Sequence, residues 1–143
     1  LSESKAAEAH LLRAIEINPD DAYALNYLGY WWADDGRNLD EAIAMIEHAV
    51  ATRPDSGFFV DSLGWVHYQL GNYQLAVEFL EKATMLEPED AVIISHLGDA
   101  YWQINRYNEA QYKWRYAAQI TKDGTLRADL ENKLASGLPI VGQ

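Results

Sequence analysis

The chain contains no cysteine. That excludes disulfides, thiolate zinc sites and thiol nucleophiles. It leaves the compartment open, because proteins of oxidising compartments can lack cysteine too. Basic residues are scarce: 11 Lys and Arg stand against 22 Asp and Glu, for a net charge of −11 at pH 7. A nucleic-acid binder needs cations to displace the counterions of a phosphate backbone. Nucleic acid is therefore excluded as a partner, and an anionic lipid surface is disfavoured for the same reason. Basic or neutral partners fit better. No apolar run approaches the roughly 20 residues of a membrane span, which speaks against direct membrane insertion. No secretory signal stands at the start. The chain opens at Leu1 rather than Met, which predicts a piece of a longer protein. Any targeting signal would then lie outside it.

What is present is repetition. Hydrophobic residues make up 49% of the 143 and charged residues 23%, an ordinary globular balance. The stretches YALNYLGYWWADDG from Tyr23, FFVDSLGWVHYQLG from Phe58 and VIISHLGDAYWQIN from Val92 share a Leu-Gly pair at the same place. The glycines Gly29, Gly64 and Gly98 are spaced 35 and then 34 apart. Each stretch is followed by a segment with two alanines seven apart: Ala42 and Ala49, Ala76 and Ala83, Ala110 and Ala117. The N-terminus carries the same half-unit, with Ala7, Ala14 and then Pro19. A fixed period of this length is the mark of a repeat architecture.

Each half reads as an amphipathic helix, with apolar residues recurring at three and four. Gly36 and Gly71 suit the left-handed turn that ends a first helix. Asn38 and Asn72 are then expected as N-caps of the second helices, with Glu41 completing a capping box on Asn38. Pro19, Pro54 and Pro88 stop the second helices. Asp21, Ser56 and Asp90 are expected to cap the next first helices. The small residues let helices approach closely. One extra residue falls in the turn near Arg37. In the last segment, Leu126, Leu130 and Leu134 recur every four residues, Thr125 suits a cap, and Gly137 and Pro139 suit a stop.

Leu63, Gly64, Tyr73, Ala76, Leu80, Ala83 and Pro88, then Leu97, Gly98, Tyr101, Tyr107, Ala110, Trp114 and Ala117, closely resemble the tetratricopeptide repeat, a helix-turn-helix unit of about 34 residues. The resemblance covers roughly residues 4–122, and the wording is similar to bacterial, proteobacterial-type proteins with many such repeats. It implies an all-α, right-handed solenoid of antiparallel helix pairs: about three and a half repeats plus a C-terminal capping helix. The units would be a lone second helix at 4–18, repeats at 22–56, 57–90 and 91–124, a capping helix at 125–136 and a mobile tail at 137–143. Arg127, Asp129, Glu131 and Lys133 would face outward from the cap. Localisation stays unassigned: bacterial cytoplasm, or periplasm if a signal precedes this stretch.

The same resemblance implies that the first helices line a concave groove that holds a protein or peptide ligand. Carried over position by position, the groove would comprise Tyr23, Asn26, Tyr30, Ala33 and Asp34; Phe58, Asp61, Trp65, Tyr68 and Gln69; and Val92, Ser95, Asp99, Trp102 and Gln103. The helices 22–35, 57–70 and 91–104 hold Asp34, Asp35, Asp61 and Asp99 but no Lys or Arg. The best-known groove of the family clamps C-terminal carboxylates with Lys, Arg and Asn. Only Asn26 remains of that set, so a carboxylate clamp is rejected. The expected ligand is instead a peptide or helix with basic and apolar residues, anchored on Tyr23, Tyr30, Phe58, Trp65, Tyr68 and Trp102 and selected by Asp61 and Asp99. Trp32, His67 and Tyr101 fall at the consensus core offset instead. Trp31 sits where the other units have Val66 and Ala100, and is expected to be more exposed than they are.

An enzyme is not expected, nor is any cofactor or metal. His10, His48, His67 and His96 lie in different helices, and no pair has the i, i+4 spacing of a helical metal site. Two alternatives are weighed against peptide capture. One is a structural scaffold or self-association module, with homo-oligomers formed through the array ends. The remote one is a hydrolase using Asp61 and Asp99 as paired carboxylates, which needs a defined separation and a pocket.

Overall fold

The computed structural model describes residues 2–139; of the tail expected at 137–143, residues 140–143 lie outside the described residues. Among the described residues there are eight α-helices and no strand: α1 (Glu3–Ile17), α2 (Ala22–Asp34), α3 (Leu39–Thr52), α4 (Gly57–Gln69), α5 (Tyr73–Leu86), α6 (Ala91–Gln103), α7 (Tyr107–Ile120) and α8 (Gly124–Ser136). None is long and apolar enough to cross a membrane.

The chain is an all-α helical-repeat solenoid. The helices pack mainly as the pairs α2/α3, α4/α5 and α6/α7, with each pair resting on the next. α2 also touches α4, and α4 touches α6. The second helices α3, α5 and α7 make their main contacts only with helices adjacent in sequence. The first helices therefore lie on the tighter, inner side of the stack.

The turns explain why each pair folds back. α2 ends with Arg37 N–H donating to Trp32 O (2.9 Å) and Gly36 N–H to Ala33 O (3.0 Å). α4 repeats both bonds with Asn72 to His67 O (2.9 Å) and Gly71 to Tyr68 O (3.0 Å), and α6 with Arg106 to Tyr101 O (2.9 Å) and Asn105 to Trp102 O (3.0 Å). This is a Schellman closure, which needs a left-handed residue at its hinge. Gly36 (φ 70°), Gly71 (φ 81°) and Asn105 (φ 66°) supply it.

Asp21, Ser56 and Asp90 cap α2, α4 and α6 by accepting from Ala24 N, Phe59 N and Ile93 N. The expected caps on the second helices are corrected. Asn38 is itself left-handed (φ 51°) and makes no capping bond. An N-cap needs an extended backbone to aim its side chain at the helix, so the box with Glu41 does not form. Asn72 also makes no cap bond, and its amide lies 3.4 Å from His67 Nδ1. α8 is capped by Asp123, not Thr125: its carboxylate accepts from Thr125 N (2.9 Å) and Leu126 N (3.3 Å).

The core is a row of linked clusters. Leu28, Trp32, Ile46, Leu63 and Val66 form one near the N-terminal end. Leu80, Leu97, Tyr101, Trp114 and Leu130 form the largest, near α8. Val60, Ala83 and Ile93 form a smaller one, with Phe79 and Val50 packed against both it and the N-terminal cluster. The helix glycines sit where backbones press together. A Cβ on Gly29 would lie 2.8 Å from Ala42 O, and one on Gly98 would lie 2.6 Å from the Trp114 ring.

The tryptophan doublet is divided. Trp32 is buried, and its Nε1–H donates to Glu8 Oε1 on α1 (2.6 Å). Arg37, in the lengthened turn, donates to the same oxygen (2.9 Å) and lies over both indoles, at 5.9 Å from Trp31 and 5.8 Å from Trp32. These two bonds hold the Glu8 carboxyl below the usual carboxylate range. Trp31 is half-buried, whereas Val66 and Ala100 are fully buried.

Candidate peptide-binding face

The inner face is built from side chains at equal places on α2, α4 and α6. Its polar groups mostly reach along the array rather than outward. Gln69 Nε2 donates to Asp34 Oδ1 (3.2 Å), His96 Nδ1 meets Asp61 Oδ1 (2.8 Å), Gln103 Nε2 donates to the Tyr68 hydroxyl (3.1 Å), and Lys133 Nζ donates to both Asp99 oxygens (3.1 Å each). Each bond joins residues 34 or 35 apart, that is, one inner helix to the next.

This ladder corrects several expectations. Asp99 is buried, not open. Its Oδ1 also accepts from Trp114 Nε1 (2.9 Å), so no oxygen is left for a ligand. Burial pushes its carboxyl pKa up, against the opposing pull of Lys133 and the Trp114 bond. Lys133 was expected on the outer side of the cap; it turns inward because Asp99 needs a counter-charge. Arg127 also turns back, donating to the carbonyls of Ala118 and Thr121. Ser95 is buried. Gln69, Gln103 and Asp34 are bonded within the ladder.

The large aromatics of the C-terminal half are half-buried and packed on one another. Trp65 is stacked with Tyr68 (4.6 Å between centroids) and with His96 (3.9 Å). Trp102 packs against Tyr107 (4.4 Å) and Trp114 (5.3 Å), and Gly137 closes over its six-membered ring. These rings are therefore poor anchors. Burial pushes the Tyr68 phenol up to about 12.

The open part of the face lies between α2 and α4. There a cavity of about 640 Å³ is lined by Tyr23, Asn26, Tyr27, Tyr30, Phe58, Phe59, Asp61 and Ser62, with Arg53, Asp55, Ser56 and Glu87 at its edge. Tyr23, Tyr27 and Phe58 are 59%, 68% and 53% exposed, unusual for rings that converge on one hollow. Of the expected anchors, the cavity gathers Tyr23, Tyr30 and Phe58, together with Asn26 and Asp61. It does not gather Trp65, Tyr68 or Trp102.

The electrostatics favour a cation. Burial, then the negative charges of Asp61 and Asp34, push the Tyr30 phenol up to about 12, so it stays a hydrogen-bond donor. Arg53 is the one basic residue of the lining. Its guanidinium lies 5.7 Å from the Tyr23 ring, and it donates to the Tyr23 hydroxyl (3.2 Å). Sequence reasoning missed Tyr27 and Arg53. Tyr27 lies one helical turn beyond Tyr23, a signal that was available. Arg53 comes from the end of α3, outside the inner helices. Asn26 Oδ1 is fully enclosed and has no hydrogen-bond partner.

Comparison with known proteins agrees with this architecture. A tetratricopeptide-repeat family model matches residues 67–111. A TPR repeat-containing protein of Pseudomonas aeruginosa is 41% identical over 64 residues, or 45% of this chain. Over those stretches the chain is similar to tetratricopeptide-repeat proteins, a bacterial one among them. That match spans only 11% of the Pseudomonas protein's length. Among solved structures, a thermophilic TPR protein of Thermus thermophilus superposes with a TM-score of 0.78 at 21% identity, covering 90% of this chain and 72% of that one. MamA superposes at 0.70 and 18% identity, covering 92% and 84%. These likenesses show the fold. Tetratricopeptide arrays serve generally as protein-interaction or scaffold modules and are typically non-enzymatic. Of the two carboxylates weighed for a hydrolase, Asp61 pairs with His96, and Asp99 is held by Lys133 and Trp114. Among the described residues, no three His, Asp or Glu side chains are grouped to hold a metal.

Proposed function

We propose that this tetratricopeptide array captures a segment of a partner protein in the cavity between α2 and α4. The segment carries apolar side chains for Tyr23, Tyr27 and Phe58, and basic character for the acidic surroundings. One observation carries the reading: three aromatic rings, each more than half exposed, converge on a hollow large enough for several side chains. Exposed apolar surface of this kind mainly marks interaction sites, and buried aromatics supply most of the energy at such surfaces. The chain's charge of −11 disfavours acidic partners.

The test is a fluorescence-anisotropy titration with labelled synthetic peptides of four compositions: apolar and basic, apolar and acidic, apolar and neutral, and basic alone. The apolar and basic peptide binds tightest, and Phe58→Ser weakens it by about tenfold or more. Equal binding of all four peptides, or no effect of Phe58→Ser, refutes the proposal. The scaffold reading has one observation in its favour. α1 has no buried residue, and Leu12 and Ile17 stand exposed on it. Light scattering that reports a dimer abolished by Ile17→Lys would favour that reading.

A further inference from the structure

We infer that the outer face of α7 is a docking surface for a second copy of this chain: Tyr112, Arg115 and Tyr116 of one molecule enter the α2–α4 cavity of the next, joining copies head to tail. This rests on the peptide-capture reading and names the partner whose segment is captured.

The first support is where the charge lies. Residues 1–100 hold 5 Lys and Arg against 18 Asp and Glu, whereas residues 101–143 hold 6 against 4. The acidic excess therefore belongs wholly to the first hundred residues, which include the cavity. Of the six basic residues beyond them, Arg106 pairs with Glu109, Arg127 turns onto carbonyls and Lys133 onto Asp99. The other three, Lys113, Arg115 and Lys122, stand on α7 and just past its end, and no acid lies between Ala110 and Lys122. The second support is a reversal confined to one unit. Counted from the paired alanines, Glu47 of α3, Glu81 of α5 and Arg115 of α7 occupy the same place, and all three are exposed. Glu78 of α5 is likewise replaced by Tyr112 in α7. Glutamate keeps that place soluble in two units, so solvation alone gives no reason for arginine in the third.

The third support is shape. Tyr112 (62% exposed) and Tyr116 (36%) stand one helical turn apart beside Arg115, on the side of α7 away from its buried stripe of Ala110, Trp114 and Ala117. Lys113 Nζ lies 5.8 Å from the Tyr112 ring. This is a ready-made helical ridge of aromatic and basic side chains. The cavity, with Tyr23, Tyr27 and Phe58 exposed in it and Asp55 and Glu87 at its edge, has the complementary chemistry. The helix is already folded, so little ordering is needed on docking. Within one molecule α7 lies on the outer seam and packs mainly on α6 and α8, so it cannot reach the cavity of its own chain. The contact therefore joins different copies through unlike surfaces. Two molecules of net charge −11 repel at long range, and a local basic patch is what lets them meet in one orientation.

The experiment is sedimentation velocity of the full chain over a concentration series from micromolar to near-millimolar. The mean mass rises with concentration. Tyr112→Glu with Arg115→Glu gives α7 the residues that α5 carries at those places, and weakens association about tenfold or more. Phe58→Ser does the same from the cavity side. The α7 variant still binds the apolar and basic peptide, which reports an intact cavity. Mixed in equal amounts, the two variants form a one-to-one complex, because one keeps the cavity and the other keeps α7. The same peptide, added to the unaltered chain, dissolves the assembly. A mixture that stays monomeric overturns the inference, since unlike surfaces must complement each other. So does an assembly that ignores the α7 substitutions, or one abolished by Ile17→Lys. If the chain stays monomeric throughout while Phe58→Ser still weakens peptide binding, peptide capture stands and self-docking is overturned. An acidic peptide bound by the monomeric chain and lost in the α7 variant also overturns it, in favour of a foreign acidic partner for α7. If neither copies nor peptides bind, both readings fall.

Discussion

Replacing Lys133 with methionine should destabilise the chain by about 2–3 kcal/mol near neutral pH, far more than loss of a surface ion pair. The variant keeps the volume of the lysine stem and leaves Asp99 beneath α8 with only the Trp114 N–H as partner. Removing one member of a buried pair costs about 3–5 kcal/mol when both are fully enclosed. Lys133 keeps 16% of its side chain exposed against 7% for Asp99, which places the loss at or just below the low end. The deficit should depend on pH with a defined sign. The folded-state pKa of Asp99 is raised by burial, and Lys133 is one of the groups pulling it down. Without Lys133 it rises further. An acid with a raised folded pKa holds its proton more tightly in the folded chain, so the stability it gives is present at low pH and lost as pH rises through that raised value. The deficit of the variant therefore shrinks as the pH falls toward the ordinary carboxylate range. Urea unfolding followed by tryptophan emission measures both quantities, and adding Asp99→Asn to the variant should restore most of the loss. A deficit below about 0.5 kcal/mol, or one that is the same at neutral and acid pH, would show that the pair behaves as a solvated surface contact.

Gly137→Ala should lower the melting temperature and shift tryptophan emission, since its φ of 71° disfavours a side chain and its Cβ would meet the Trp102 ring; the expected loss is about 1–3 kcal/mol. Gly29→Ala should lose a similar amount, because its Cβ would lie 2.7 Å from Ile46 and 2.8 Å from a backbone oxygen. Gly124→Ala meets nothing within 4 Å, and should instead stabilise α8 by about 0.4–1 kcal/mol in a denaturant series. Asn38→Gly should be neutral or slightly stabilising, while Asn38→Ala should lose about 1 kcal/mol, because the left-handed backbone is the requirement there and no cap bond exists to lose.

The helices were legible because their signals are local. Leu-Gly pairs, paired alanines and the Asp21, Ser56 and Asp90 caps each act within one or two turns. The second-helix caps misled for a local reason as well. Asn suits both an N-cap and a left-handed hinge, and at Asn38 the lengthened turn selects the hinge. The inner face was only half legible. Repeat offsets fix where a Cα sits on a helix, so Tyr23, Asn26, Tyr30, Phe58 and Asp61 fell on one cavity. They do not reveal which long side chain from the next unit arrives on top. Asp99 was expected to be open because its cover comes from α8, where the family pattern assigns no such role. The information was nonetheless present at the repeat spacing. Asp61 with His96 pairs a carboxylate with an imidazole, and Asp99 with Lys133 a carboxylate with an ammonium, 35 and 34 residues apart, visible once units are aligned in columns.

The ladder of side-chain bonds along the inner helices also has a mechanical meaning. Backbone hydrogen bonds stiffen each helix along its own axis, but nothing in the backbone joins one inner helix to the next. The bonds Asp34–Gln69, Asp61–His96, Tyr68–Gln103 and Asp99–Lys133 do so, and all lie on one side of the stack. They act as stitches on the inside of a bent spring. Under tension from end to end the outer seam can hinge while these stitches carry the strain. The exposed Asp34–Gln69 bond should yield first and the buried Asp99–Lys133 pair last. Extension would then begin beside the open cavity and leave the capped end intact.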